Sequence, residues 1–134
     1  MLHLISNQKK DIMKPFISSR IAGIIYALAI GCFGIIHFMK ADGLKSSVPD
    51  FIPGGIIWIY ITGAGMILAA IAIIINKFAT LACYLLAGMF LIFVFTLHLK
   101  HIEGGNYLNV LKDTAMAMAA IVIGNNLSHK GHRL

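Results

Sequence analysis

Few side chains in this sequence could do chemistry, and those few sit inside or beside long apolar runs. His37 follows Gly34-Ile35-Ile36, His98 follows Phe95-Thr96-Leu97, and Lys112-Asp113 comes just after Asn109 and just before a stretch of small residues. Ionisable groups in apolar surroundings are costly and mark functional positions by default. His37 or His98 could move protons. Asp113 is expected to turn inward and pair with a histidine or with Lys112, because a carboxylate facing lipid without a partner would neutralise or move. A His98 to Asp113 hydrogen bond is the specific expectation. The alternative is that Lys112 snorkels toward headgroups while Asp113 sits in the favourable field of a helix N-terminus. Trp58 and Tyr60 offer aromatic faces, either as interfacial anchors or as surfaces on which a ligand stacks. Lys100, His101 and Glu103 are expected to be solvated loop charges.

Other chemistries find little support. Cys32 and Cys83 do not form a CxxC pair, and at a rise of about 1.5 Å per helical residue their levels differ by more than ~10 Å. A disulfide needs Cα atoms within about 7 Å, so a thiol-disulfide oxidoreductase is disfavoured. A metal centre is not expected, since only His37, His98 and Asp113 could contribute ligands. No flavin or nucleotide motif occurs, and no nucleophile has an oriented base.

The elements that must position these residues are transmembrane helices. The chain has 134 residues, 59% of them hydrophobic and 12% charged, with a mean hydropathy of +0.87. That is more apolar surface than a soluble core of this size could hide. Four continuous apolar runs, at about 21–38, 56–75, 78–99 and 108–124, match the roughly 20 residues that a hydrocarbon core demands. They are too long for barrel strands. The fold class is therefore an all-α membrane protein, a four-transmembrane-helix bundle with short loops. Residues 1–20 read as a cytoplasmic leader, 21–124 as the membrane domain and 125–134 as a cytoplasmic basic tail. Asn76-Lys77 forms so short a connection that the second and third spans must be antiparallel neighbours.

Charge sets a direction. Lys9, Lys10, Lys14, Arg20, Lys77, Lys130 and Arg133 fall on one side of the bundle and outnumber Lys40, Lys45, Lys100 and Lys112 on the other. The positive-inside rule then places both termini in the cytoplasm of a cell whose inner membrane holds the chain. His37, His98, Asn109, Lys112 and Asp113 converge near the outer face, and the inner leaflet has no matching set. The net charge of +6 reads as topology signal rather than nucleic-acid binding, because the cations lie beside apolar runs without interleaved exposed aromatics.

Small residues recur where helices could approach, at Gly23, Ala27 and Gly31 on span one and at Gly65 and Ala69 on span two. The connection from Lys45 to Gly55 contains two prolines and two glycines, which forbid a continuous helix. Its Val48, Phe51 and Ile52 are too apolar for a free loop. It reads either as a lid on the bundle mouth or as a segment dipping into the headgroups.

Across roughly 20–124 the pattern resembles the DoxX-like family of small four-helix membrane proteins. The matching stretches are Gly34-Ile35-Ile36-His37-Phe38, Val48-Pro49-Asp50-Phe51-Ile52-Pro53, Trp58-Ile59-Tyr60-Ile61-Thr62-Gly63 and Asn109-Val110-Leu111-Lys112-Asp113. Many relatives carry a glutamate shortly after the span-two glycine, where this chain has Gly65-Met66-Ile67. The resemblance implies a four-helix bundle. It implies no single activity, since relatives are linked to thiosulfate:quinone oxidoreductase as accessory subunits, to membrane redox assemblies and to receptor assembly.

Three functions are consistent with these residues. The first is an accessory or binding subunit whose outward mouth, lined by His37, Trp58, Tyr60, His98, Asn109, Lys112 and Asp113, accepts a small amphipathic molecule such as a quinone or lipid. The second is a subunit of a quinone-linked membrane oxidoreductase working with a redox partner, the chain being no catalyst on its own. The third is an assembly factor for another membrane subunit. A channel is the least favoured, because nothing in the inner half continues the polar path.

Overall fold

The computed structural model describes residues 16–48, 50–98 and 107–131, and the side chains of these except at 47, 97, 98 and 128–131. The chain is an all-α bundle whose four helices are long and apolar enough to cross a membrane. They are α1 (Ser19–Met39), α2 (Ile56–Ile75), α3 (Ala79–Phe93) and α4 (Tyr107–Gly131). No strand occurs among the described residues. Helices satisfy their own backbone hydrogen bonds, which is the condition for spanning lipid.

Local chemistry sets the helix ends. Ser18 caps α1, its side-chain oxygen accepting from the Ile21 amide at 3.2 Å. The helix therefore begins two residues before the apolar run does. After Met39 the chain forms a short helix, Ala41–Leu44, and a 3-10 turn, Lys45–Ser47. It enters α2 through Gly54 and Gly55 at φ 98° and 44°, backbone angles that glycine adopts without steric cost. Asn76 ends α2 in the left-handed conformation with its amide on the last carbonyls, a common helix stop. Phe78 opens α3 at φ 54°, so α2 and α3 reverse through a tight turn. Beyond Phe93 the helix widens into a π-helical turn, Val94–His98. Helix α4 continues through Gly131, so residues 125–131 of the expected tail are helical. Residues 1–15 of the expected leader lie outside the described residues.

The packing is inside-out relative to a soluble bundle. Bulky Ile25, Leu28 and Ile35 point outward on α1, whereas Gly23, Ala27, Ile30 and Gly34 are buried. Association is strongest between α1 and α2 and between α3 and α4, weaker between α2 and α3, and slight between α1 and α4. Lipid tails are as apolar as leucine, so helices gain from close packing rather than from escaping water. The closest approach is at Gly34 and Gly63. A Cβ on Gly34 would stand 2.8 Å from the Gly63 carbonyl oxygen, and one on Gly63 would stand 2.9 Å from the Gly34 oxygen. On the other pair, Gly124 lies where a Cβ would meet the Cys83 Cβ at 2.9 Å. The expected Gly65–Ala69 contact is only half realised, since Ala69 is buried while Gly65 faces open space. Gly63 makes the contact because it shares a face of α2 with Met66, Ala70 and Ile73, whereas Gly65 lies about 200° further round.

Polar groups also fasten the end of the bundle opposite the histidines, which the sequence reading left empty. The Arg20 guanidinium donates to the carbonyl oxygens of Ile73 and Ile74, placing a cation on the negative end of the α2 dipole. Thr80 donates to the Gly124 carbonyl at 3.2 Å, and the Tyr84 hydroxyl donates to the Asn125 side-chain oxygen. These bonds tie α4 to α3 at Gly124 and Asn125. Substituting Gly34 or Gly63 by Ala is expected to destabilise the bundle by about 1–3 kcal/mol through overpacking. Gly65→Ala should be neutral, or stabilising by up to about 1 kcal/mol. Thermal unfolding of the three variants in detergent checks the contrast.

Candidate functional site

At the end where α1 finishes and α4 begins, the helices splay around a cavity of about 580 Å³. All four contribute through faces that repeat every three or four residues. Helix α1 supplies Phe33 and His37, α2 supplies Trp58, Thr62 and Met66, and α4 supplies Asn109, Lys112, Asp113 and Met116. Each set lies on one side of its helix. The end of α3 adds Phe90 and Phe93 and, from the π-helical turn, Thr96. The connection between α1 and α2 covers the opening with Leu44, Val48 and Ile52. Val48 and Ile52 are half-buried there while Phe51 points away. Beneath the cavity Ile30, Ile73, Cys83, Ala117 and Ala120 pack tightly.

Asp113 is the charge on which the site turns. It lies well inside α4, which begins at Tyr107, too far from the helix end to be a cap. Its side chain is only 5% exposed, against 49% for Lys112. The Lys112 ammonium comes within 3.5 Å of the carboxylate and stands 5.8 Å from the centre of the Phe33 ring. The lysine thus bends back over the cavity, held by the carboxylate and by the negative face of an aromatic ring. The expected His98 to Asp113 hydrogen bond falls on a side chain outside the described residues.

His37 is half-buried and its Nδ1 lies 2.7 Å from the Phe33 carbonyl oxygen. A carbonyl can only accept, so Nδ1 carries the hydrogen. In the neutral ring Nε2 is then the acceptor, and that nitrogen is the one a ligand could use. The orientation follows from α1 itself, because Phe33 and His37 are four residues apart. On α2 the Trp58 Nε1 donates to the Pro53 carbonyl at 2.6 Å. The indole pins the covering segment and spends its donor doing so, leaving its ring face as wall. Tyr60 does not line the cavity. It stacks on Phe38 with ring centroids 5.5 Å apart, as its position about 200° round the helix from Trp58 requires.

The structure therefore brings His37, Trp58, Asn109, Lys112 and Asp113 together and leaves Tyr60 outside. Sequence reasoning missed Phe33, Thr62, Met66, Phe90, Thr96 and Met116. Several stand at helical spacing from residues it did find: Phe33 from His37, Thr62 and Met66 from Trp58, and Met116 from Asp113. A compact polar set above an apolar floor suits a molecule with a polar head and an apolar body. Among the described residues no three of His, Cys, Asp and Glu gather as a metal-binding group.

Fold and cavity describe a small polytopic membrane protein with a cavity at one end of its bundle. A family model described as a domain of unknown function (DUF8561) matches residues 26–124, and the chain belongs to that family. The matched region includes every described cavity wall. No curated protein and no solved structure matches the chain.

Because Lys112 offsets a buried carboxylate, Lys112→Met should destabilise more in the presence of Asp113 than in an Asp113→Asn background. A double-mutant cycle on unfolding in detergent is expected to give a coupling of about 1 kcal/mol, modest because the lysine is half exposed.

Proposed function

We propose that this DUF8561 protein is an accessory or binding subunit of the DoxX-like kind, holding a small amphipathic molecule with a quinone-like head in the cavity beside Asp113. The observation that carries the reading is the pairing of a buried carboxylate and a bent-back lysine with an apolar floor inside one cavity of about 580 Å³. Such a head presents hydrogen-bonding oxygens on a flat ring. The Lys112 ammonium would donate to them, His37 Nε2 would accept from a reduced hydroxyl, and Phe33, Trp58 and Phe93 would enclose the ring. The covering segment, tied by Trp58 to Pro53, would keep water from the head.

The site belongs on the outer face of an inner membrane, with both termini in the cytoplasm. Arg20 and Lys77 support this orientation at the opposite end of the bundle. A second reading, a subunit of a quinone-linked oxidoreductase with a separate redox partner, draws on His37. Its orientation by the Phe33 carbonyl leaves one ring nitrogen available for proton exchange.

Trp58 is the protein's single tryptophan and lines the cavity, so quenching of its fluorescence by a short-chain benzoquinone reports binding directly. Saturable quenching is expected, weakened about tenfold by Asp113→Asn, a loss of about 1.4 kcal/mol, and comparably by His37→Phe. Unchanged affinity in both variants, or no saturable binding, would overturn the reading. For orientation, alkaline phosphatase fused after Leu134 should be inactive, while a fluorescent protein fused there should glow.

A further inference from the structure

A second hollow lies on the flank of the bundle between α2 and α3, the helix pair joined by the tight turn at Asn76 to Phe78. Its volume is about 570 Å³, and Thr62 and Trp58 supply the few polar atoms in an otherwise apolar lining. Small residues on α2 make the space: Gly65, where a Cβ would meet nothing within 4 Å, and Ala69 and Ala72 beyond it. Leu81, Leu85 and Met89 of α3 form the facing bank. Leu68, Leu81 and Leu85 are exposed, so the hollow faces the surrounding hydrocarbon.

Three residues, Trp58, Thr62 and Phe93, line both this hollow and the polar cavity. The two spaces thus meet at these three side chains, with polar groups on one side and hydrocarbon on the other. From Trp58 to Ala72 the hollow follows α2 for about 21 Å, longer than the roughly 15 Å of one leaflet's hydrocarbon. An extended apolar chain fits that length and chemistry.

We infer that the α2–α3 hollow is the seat of a single long hydrocarbon chain, acyl or isoprenoid, belonging to the molecule whose head occupies the Asp113 cavity. Trp58, Thr62 and Phe93 form the portal through which that molecule enters sideways from the bilayer. This rests on the proposed head site and adds the substrate class, a membrane-borne amphiphile rather than a water-soluble one. Entry by this route requires these three side chains to part, and not the segment that covers the cavity.

The test compares benzoquinones with no chain, with a decyl chain and with an isoprenoid chain, each read by Trp58 quenching in nanodiscs. Gly65→Leu fills the hollow; Gly88→Leu, on open α3 surface outside it, is the control. In the wild type and in Gly88→Leu a chain should tighten binding about tenfold, and Gly65→Leu should abolish that gain while binding the chainless quinone normally. The decyl and isoprenoid arms separate the two chain types. A chain effect that survives Gly65→Leu overturns the inference and leaves the head site standing. If no quinone binds, a brominated octadecanol replaces it. Saturable quenching lost in Gly65→Leu then supports the hollow while the head site fails, and quenching that never saturates overturns the hollow too. A wild-type dimer in detergent that Gly65→Leu dissociates would put a second copy of the chain there and also overturn it.

Discussion

The backbones of α1 and α2 touch at Gly34 and Gly63, and much of the remaining architecture depends on that contact. In lipid, two helices gain nothing by hiding apolar side chains from water, so their pairing rests on close van der Waals approach. At this crossing each glycine lies against the carbonyl of the other, and Gly63 also lies where a Cβ would be 2.9 Å from the His37 Cβ. The contact therefore fixes the height and rotation of His37. It also brings Phe38 over Tyr60 and sets Phe33 at the edge of the cavity. On the opposite pair, Gly124 against Cys83 performs the same service for α4, which carries Asp113. Two close crossings, one in each helix pair, set the positions of the helices that carry the site's side chains.

The two ends of the bundle use polarity differently. At the Arg20 end, the guanidinium and the hydroxyls of Thr80 and Tyr84 close on backbone or side-chain oxygens of neighbouring helices, leaving a tied and filled terminus. At the Asp113 end, polar groups surround empty space. Tyr26 marks the boundary, donating to the Met116 carbonyl at 2.8 Å directly behind the cavity floor. Hydrogen bonds thus lock one end of the bundle and line a hollow at the other.

The existence and number of the helices were legible because continuous apolar runs of this length have few alternatives. Which side of each helix faces inward was not, since interior and lipid are equally apolar and hydrophobic periodicity loses its meaning. Gly63 and Gly65 look equivalent in the sequence, yet one is a contact and the other a void. Charge remained readable: Asp113, Lys112 and His37 stood out because apolar surroundings make them costly, and the structure gathers them. Tyr60 lies away from the cavity for a reason the sequence contained, since residues two apart on a helix diverge by about 200°. The Ser18 cap and the π-helical turn after Phe93 depend on local geometry that composition does not encode. The bonds of Arg20 to Ile73 and Ile74 needed knowledge of where two distant segments meet.

Those Arg20 bonds bear on the order in which the protein comes into being. Everything that fastens α1 to α2, from the guanidinium on the Ile73 and Ile74 carbonyls to the glycine crossing, lies within residues 20–75. A nascent chain can therefore complete this N-terminal hairpin before α3 has left the ribosome. The cavity cannot form so early, because its carboxylate and lysine lie on α4. The site's charge therefore joins the hairpin only through the second helix pair, where α4 packs against α3.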